Sequence, residues 1–489
     1  MKKLLGIDVG TTGTKTLLVT EDGEVIGSSY CGYETKKPRP GYSEQNPLDW
    51  WNAVVRTVRE ACAGCDANDV AAISLSAQGG TVVPTDSGFD PLKYAVVWDD
   101  ARCENERRQF LSEVGAGGTM FEKTGWGLSC SLPALQIRWI KNNEPDIFEK
   151  KPLYLTVADY ISAKLTGKPC IDMSDAGINQ LIDVRKGCYD KELLDFAGIT
   201  EDQLPKLVKS GTAVGNLTAE AAKELGLTEK TVFVAGAHDQ YAVAVGGGAV
   251  KEGDILIGSG TSWVVTAISD RPRFETGLAQ SVSAAEGMWG SLTSLSSGGV
   301  CLEWLRKNVI SDGGLSLAGI DGKCENAEAA GSGLFFYPFG SITAENSEGK
   351  TIPTGTFVGM DLSNDRFDLA RAVMEGVGFQ IKRMLGSFDN RFDRIKLAGG
   401  ASKSKFWTGL LADILGKPIV VPSVSELACV GAAIIAGVGC GLFGSAAEGY
   451  EKVSVNETTV CPDAARSEKY QAAYKIYTAN AGYLEKMYL

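Results

Sequence analysis

The chain writes one phrase twice. Leu5-Gly6-Ile7-Asp8-Val9-Gly10-Thr11-Thr12 stands at its start, and Leu256-Ile257-Gly258-Ser259-Gly260-Thr261-Ser262 stands near the middle of its 489 residues. Each copy is an apolar run of strand character followed by Gly-Thr-Thr or Gly-Thr-Ser. A second apolar run then follows, Thr16-Leu17-Leu18-Val19 in one copy and Val264-Val265-Thr266 in the other. The pattern predicts a β-hairpin with a tight, hydroxyl-rich turn. Backbone amides and hydroxyls at a turn free of bulky side chains form a concavity that suits phosphate oxygens. Two copies point to two phosphate-facing loops across a cleft in a duplicated, two-lobed chain, since this length exceeds one ordinary core.

The first lobe opens as a meander, Leu4 to Asp8, Thr16 to Thr20 and Glu24 to Tyr30, with a helix after Pro47 and a further strand at Val70 to Leu75. Thr231 to Ala235 reads as a strand ending in Gly236-Ala237-His238-Asp239-Gln240, and Tyr241 to Val245 then runs into glycines 246 to 248. Those glycines, with Lys251-Glu252-Gly253, mark the expected boundary: one domain over 1–248 and a second over 249–489. The second lobe restarts at Asp254. Helices are expected at Gly299 to Asn308, Asp368 to Leu385 and Lys405 to Leu415, the last preceded by a strand at Arg394 to Ala398 and by Gly399-Gly400-Ala401-Ser402-Lys403-Ser404. Strands that open onto Gly-rich turns and helix N-termini recur where phosphates and nucleotides bind.

Bulk properties exclude several classes. With 44% hydrophobic and 22% charged residues the composition is that of a soluble globular protein, and a net charge of −12 argues against a nucleic-acid surface. Asp8 interrupts the apolar start before a secretory core could form, so no export signal is expected. The uncharged stretch Ala428 to Gly444 is too short to span a bilayer and reads as a buried helix and its turn. Twelve scattered cysteines fit reduced thiols in the cytoplasm, and Cys62-Ala63-Gly64-Cys65 reads as ordinary thiols at a helix end. The single histidine excludes schemes or metal sites that need two. Asp and Glu must carry most of the proton chemistry near neutral pH, with Lys or Cys as substitutes.

In Asp8-Val9-Gly10-Thr11-Thr12-Gly13-Thr14-Lys15 an acid closes the strand, glycines allow close approach, hydroxyls donate and a cation follows. That set serves the phosphate tail of Mg-ATP, with a plain polar hairpin as the alternative. Asp239 ends a strand among small residues, where it reads equally as a general base facing an alcohol or as a helix N-cap. His238 reads as its structural neighbour. Gly399-Gly400-Ala401 offers a flat surface for an adenosine, or simply a capping turn.

With these residues assembled the chain resembles the FGGY carbohydrate kinases almost end to end. Gly355, Phe357, Gly359, Met360, Asp368, Leu369, Ala372, Val373, Met374 and Glu375 match the family's second signature. Ser131, Pro133, Ile137, Trp139, Ile140, Lys141 and Asn142 match the first, with Gln136 where lysine is usual. Ser43-Glu44-Gln45-Asn46-Pro47 with Trp50-Trp51, and Trp98-Asp99-Asp100-Ala101-Arg102, resemble segments of the pentulose kinases. The resemblance implies an α/β fold of two ribonuclease-H-like domains of the actin and hexokinase superfamily, with ATP and sugar meeting in an inter-domain cleft. It implies Asp239 as catalytic base and Asp8 as the acid that organises Mg²⁺. It places Thr11, Thr12 and Lys15 in the first phosphate loop, Gly260 and Thr261 in the second, Gly299 on the helix lining the nucleotide pocket, and Gly400, Ala401 and Ser404 at the adenosine.

Gln78-Gly79-Gly80-Thr81 aligns with the segment where xylulose kinases tend to carry Met-His and glycerol kinases Arg-Glu. The glycines are expected to leave room, so that Gln78, Trp98, Asp100, Arg102 and Gln240 read the polyol beside Gly79, Gly80 and Asp239. Trp263 after the second loop resembles the Gly-Thr-Trp of kinases acting on L-xylulose and deoxyhexuloses, and makes that loop a clamp that also feels the sugar. Pro338-Phe339-Gly340 leads into Ser341-Ile342 where the family usually has Gly-Glu-Arg. The expectation is ATP-dependent phosphorylation of a ketopentose such as xylulose. The alternatives are a kinase for L-ribulose, a deoxyhexulose, gluconate, erythritol or glycerol, or a non-catalytic nucleotide-dependent sensor on the same fold. A homodimer is the family's habit.

Overall fold

In the computed structural model, which describes residues 1–488 except 116, 311–314, 328–329, 346–350, 389–391, 393 and 454–456, the opening phrase forms β1 (Lys3–Val9) and β2 (Gly13–Thr20). They pair antiparallel with Asp8 opposite Lys15. The Gly10 N–H closes the turn on the Gly13 carbonyl at 3.1 Å. Leu4, Leu5, Ile7 and Val9 are all buried, as expected of a strand covered on both faces. With β3 (Val25–Gly32), β4 (Val70–Ala77), β5 (Ala213–Asn216) and β6 (Val232–His238) they make a six-stranded sheet ordered β5-β6-β4-β1-β2-β3.

In this sheet β4 runs parallel to both β1 and β6, so the carboxyl ends of the three strands adjoin: Asp8 lies beside Ser76, and Ala77 beside His238. Open α/β sheets receive their ligands at such ends. The expected buried helix is Leu427–Gly439, which packs on β1 and crosses helix Asp239–Gly246. Glycines make that crossing possible. A Cβ on Gly431 would lie 1.9 Å from the Ala242 carbonyl oxygen, and one on Gly246 would lie 2.0 Å from that of Leu427. Backbone thus touches backbone beneath the helix that Asp239 begins.

The second phrase repeats the first. Strands β7 (Asp254–Ser259) and β8 (Trp263–Ser269) pair antiparallel, and β9 (Arg394–Gly399) runs parallel to β7. The sheet continues through β10 (Ile419–Val421) and β11 (Thr458–Val460). The order β8-β7-β9 reproduces β2-β1-β4, so the duplication is structural.

The chain divides into two units. One comprises Met1–Glu252, Ile268–Ser291 and Glu426–Val455, and the other Gly253–Ala267, Leu292–Ser425 and Asn456–Leu489. The first boundary falls between Glu252 and Gly253, and neither unit is one stretch of chain. Helix Leu427–Gly439 joins the N-terminal unit because its glycines fit the backbone there. Among the described residues no helix is long and apolar enough to cross a membrane.

Candidate active site

The first unit gathers its acids at the strand ends. Asp8 is half-buried, and its Oδ1 accepts the Ser76 hydroxyl at 2.7 Å. Burial pushes its carboxyl up to about 7, with the negative charges of Asp239 and Glu426 adding and Ser76 and Lys15 opposing. A carboxylate held beside two others is suited to a cation, and Ser76 leaves Oδ2 for it. Among the described residues no three His, Cys, Asp or Glu side chains are arranged as a metal cage. Asp8 therefore fits a Mg²⁺ that keeps its water and phosphate ligands. Lys15, expected at a phosphate, lies 2.8 Å from Glu426.

The turn itself is braced from outside. The Thr11 hydroxyl donates to Gln78 Oε1 at 3.1 Å and accepts the Trp98 indole N–H at 3.0 Å. Gln45 ties the network together. Its Nε2 donates to the Thr11 carbonyl at 2.6 Å, and its Oε1 accepts from Trp50 and Gln78 at 2.9 Å each. Sequence reasoning did not place Gln45 here, although it belongs to the segment carrying the resemblance. Gln78 thus spends both ends of its amide on protein partners and braces the hairpin, which corrects its expected role as a sugar reader. Thr12 is the exposed hydroxyl of the turn.

A second correction concerns Asp100 and Arg102. Asp100 is fully buried, and it accepts the Ser43 N–H at 2.6 Å and the Arg102 guanidinium at 2.7 and 2.9 Å. Arg102 also reaches Glu44 at 2.9 Å and lies over the Tyr42 ring. The two groups satisfy each other and hold the loop; neither is left to bind a polyol. Trp98, 45% exposed, keeps an open ring face.

The room expected at the two glycines is also absent. A Cβ on Gly79 would lie 2.4 Å from His238 Cδ2 and 2.6 Å from Asp175 Oδ1, and Gly80 holds φ of +70°, a conformation side chains rarely adopt. Asp239 is the first residue of helix Asp239–Gly246, and its N-cap is His238, whose Nδ1 faces the Gln240 N–H at 3.4 Å. The N-cap reading of Asp239 therefore falls. Its side chain is 34% exposed, and Gln240 beside it is half-buried.

The second unit holds a cavity of about 600 Å³, a size that suits a nucleoside. Gly260, Thr261, Gly299, Gly400, Ala401 and Ser404 all line it. The carbonyls of Gly260 and Thr261 accept the N–H groups of Gly298, Gly299 and Val300 at 3.1 to 3.2 Å, so the second turn caps the helix Gly299–Leu305. Ser259 locks the opposite wall. Its carbonyl accepts the Gly400 N–H at 2.7 Å, and its hydroxyl accepts the Ala401 N–H at 3.0 Å. Ser404 caps helix Lys405–Leu415 through the Trp407 N–H. Leu317, Asp321 and Trp407 also line it, and their sequence carries no motif that announces it. Trp263 is fully buried with its ring centroid 5.3 Å from that of Trp407, on the wall of this cavity. That placement corrects its expected role in feeling the sugar.

Comparison with known proteins gives matches of three kinds, to family models, to protein sequences and to solved structures. The model of the FGGY family of carbohydrate kinases, N-terminal domain, matches residues 3–246, and that of the C-terminal domain matches residues 255–440. A gluconokinase of Bacillus licheniformis is 30% identical over 445 residues, covering 88% of this chain and 86% of that protein. A xylulose kinase of Escherichia coli (strain K12) is 28% identical over 476 residues, covering 96% of each. Among solved structures, the xylulose kinase from Rhodospirillum rubrum matches with a TM-score of 0.91 at 25% identity and covers 100% of both chains.

Proposed function

Because the chain belongs to the FGGY family of carbohydrate kinases, we propose that this sugar kinase transfers the γ-phosphoryl group of ATP to a hydroxyl of a ketopentose, xylulose first, with Asp239 as general base. One observation carries the base assignment. Asp239 stands half-exposed at the end of β6, relieved of capping by His238, on the sheet edge that also presents Asp8. As the acceptor oxygen bonds to the γ-phosphorus and the bond to the bridging oxygen of ADP breaks, the hydroxyl proton passes to Asp239. Thr12 of the first turn and Gly260 and Thr261 of the second attend the phosphates, and Lys15 joins them by leaving Glu426 when ATP binds. Gly299, Gly400, Ala401 and Ser404 cradle the nucleoside. Mg²⁺ held near Asp8 would neutralise charge on the phosphates.

Electrostatics favours a neutral acceptor. Arg102 is committed to Asp100 and Glu44, and Lys15 to Glu426, while Asp8 and Asp239 contribute carboxylates. An aldonate would meet like charge without a free cation from those two residues, whereas a ketose brings only hydroxyls and a carbonyl. Gly79, Gly80, Trp98 and Gln240 form the acceptor's surroundings. The deciding experiment measures ADP release with D-xylulose, L-xylulose, L-ribulose, deoxyhexuloses, glycerol and gluconate. We expect kcat/KM to be highest for a ketopentose, D-xylulose foremost. A higher kcat/KM for gluconate overturns the acceptor assignment. The same reading includes a cytoplasmic homodimer, which cell fractionation and light scattering check.

A further inference from the structure

The chain's one histidine has no part in the chemistry above, yet it sits behind the base in a tightly built seat. The His238 side chain is 7% exposed, and its Nδ1 lies 3.3 Å from Asp239 Oδ1. Its backbone N–H donates to the Ser174 hydroxyl at 3.0 Å, and Ser174 is held in turn by Asp172. Trp126 and Tyr241 box the imidazole, each with its ring centroid 6.0 Å away. The remaining edge lies across Gly79, where a Cβ would be 2.4 Å from Cδ2, 2.8 Å from Nε2 and 2.6 Å from Asp175 Oδ1. Asp175 is 1% exposed, and the Thr156 side chain is the neighbour that its carboxyl can hydrogen-bond among the described residues. A buried carboxyl, a buried imidazole and a half-exposed carboxylate follow one another toward the site.

We propose that His238 is the positioning residue of Asp239, holding its carboxylate toward the acceptor hydroxyl, and that Gly79 and Asp175 form the seat of the imidazole. The proposal rests on Asp239 being the base. A carboxylate at the head of a helix has several rotamers open to it, and only some of them face an acceptor. With its proton on Nδ1, the ring donates to Asp239 Oδ1. With the proton on Nε2, Nδ1 accepts the Gln240 N–H. Only the Nδ1–H tautomer holds Asp239; in the other the ring caps the helix, and a bound acceptor that draws the carboxylate into place selects the first. The buried Asp175 carboxyl is poorly satisfied where it stands, and it abuts the same point beside Gly79 as the Cδ2–Nε2 edge of the ring. Position 79 is glycine because the imidazole and that carboxyl already occupy the space of a side chain.

The test separates orientation from binding and from folding. His238→Ala is expected to lower kcat roughly 10- to 100-fold, the scale of a misplaced reacting group, with the sugar KM changed less than about twofold. ADP affinity, measured by calorimetry, stays at the wild-type value, and the far-UV circular dichroism spectrum and melting temperature stay near wild type and show that the first unit is folded. His238→Asn, which keeps an amide nitrogen near the place of Nδ1, restores most of kcat. Gly79→Ala lowers kcat by displacing the ring, and adds nothing further when combined with His238→Ala. Wild-type kcat in His238→Ala, no rescue by Asn, a loss confined to KM, or additivity of the Gly79 and His238 changes each overturns the proposal. An Asp239→Asn control keeps the two readings apart. If it is inactive while His238→Ala is unimpaired, only the positioning role fails; if it is active, the base assignment itself fails.

Discussion

The two Gly-Thr hairpins share a backbone and differ in almost everything attached to it. Around the first turn, side chains do the holding. Tyr33 donates to the Gly10 carbonyl at 2.5 Å, Tyr30 to the Thr12 carbonyl at 3.2 Å, and Gln78 and Trp98 take the Thr11 hydroxyl. Charges flank it: Asp8 and the Lys15–Glu426 pair. Around the second turn the main chain does the holding, through the carbonyls of Gly260 and Thr261 on the next helix. No charged group sits in that turn, and it opens on the cavity. Hairpin register depends on main-chain pairing and so survives duplication, while side chains are free to divide the labour. Electrostatic changes should therefore tell on the first unit and steric changes on the second.

The largest expected effect is Asp239→Asn. Removing a general base typically costs 10²- to 10⁴-fold, so kcat should fall about 10³-fold. ADP affinity, a property of the second unit, should not move. A parallel loss of ADP binding in calorimetry would break the division of labour.

Asp100 with Arg102 aside, several buried acids of the first unit differ from those of the second. In the first, burial pushes Asp8 and Asp159 up to about 7 and Asp175 well above the ordinary range. In the second, buried Glu375 is paired with Arg371 at 2.8 Å, and buried Asp413 with Arg466 at 2.5 Å. For a carboxyl raised in the folded state, the native protein keeps its proton between about pH 4 and 7 while the unfolded chain has released it. Stability from such a group is thus greatest at low pH and is lost as pH rises through that window. For fully buried Asp159, moving from 3.8 to about 7, the change is roughly 4 kcal/mol. Urea melts at pH 5 and pH 8 should show the wild type losing stability and Asp159→Asn losing less of it. An equal slope in both proteins would mean that Asp159 is charged in the native state.

A smaller, steric effect belongs to the second unit. A Cβ on Gly299 would lie 2.4 Å from the Gly260 carbonyl oxygen. Gly299→Ala must push the turn away from the helix, and overpacking of this kind costs about 1–3 kcal/mol. The KM for ATP should rise roughly 5- to 100-fold by the same measure, with kcat at saturating ATP little changed. If kcat falls and KM stands, the second turn serves the chemistry directly, and the contrast with the first disappears.

The repeated phrase made the duplicated hairpins legible because apolar alternation and a glycine turn are local signals. Gly260, Thr261, Gly299, Gly400, Ala401 and Ser404, six of the nine residues expected at the cofactor, line one cavity because they sit at strand ends and helix starts, where sequence position nearly fixes location. Asp100 and Arg102 were not legible. An acid and a guanidinium two residues apart can chelate each other or face a ligand, and only the buried loop decides. Gly79 misled for the opposite reason: an absent side chain reads as space until His238, far along the chain, is seen to occupy it. The membership of Glu426–Val455 in the N-terminal unit depends on backbone contact at Gly246 and Gly431, which no periodicity reveals.

The smallest effect bears most directly on the contrast between the turns. Lys15 and Glu426 form an ion pair with side chains 31% and 39% exposed, and pairs so placed contribute about 0–1 kcal/mol. Lys15→Met should therefore leave the melting temperature within a degree or two of wild type, on the order expected from that range. If Lys15 exchanges Glu426 for a phosphate when ATP binds, the KM for ATP should rise about three- to tenfold, a loss near 1 kcal/mol, and the difference should shrink in high salt. Glu426→Gln then lowers that KM, because the cation no longer leaves a partner. Should Lys15→Met instead lower the melting temperature and spare the KM, the lysine is a brace like Gln78. Asp8 would then be the one functional charge that separates the first turn from the second, and it would serve the metal alone.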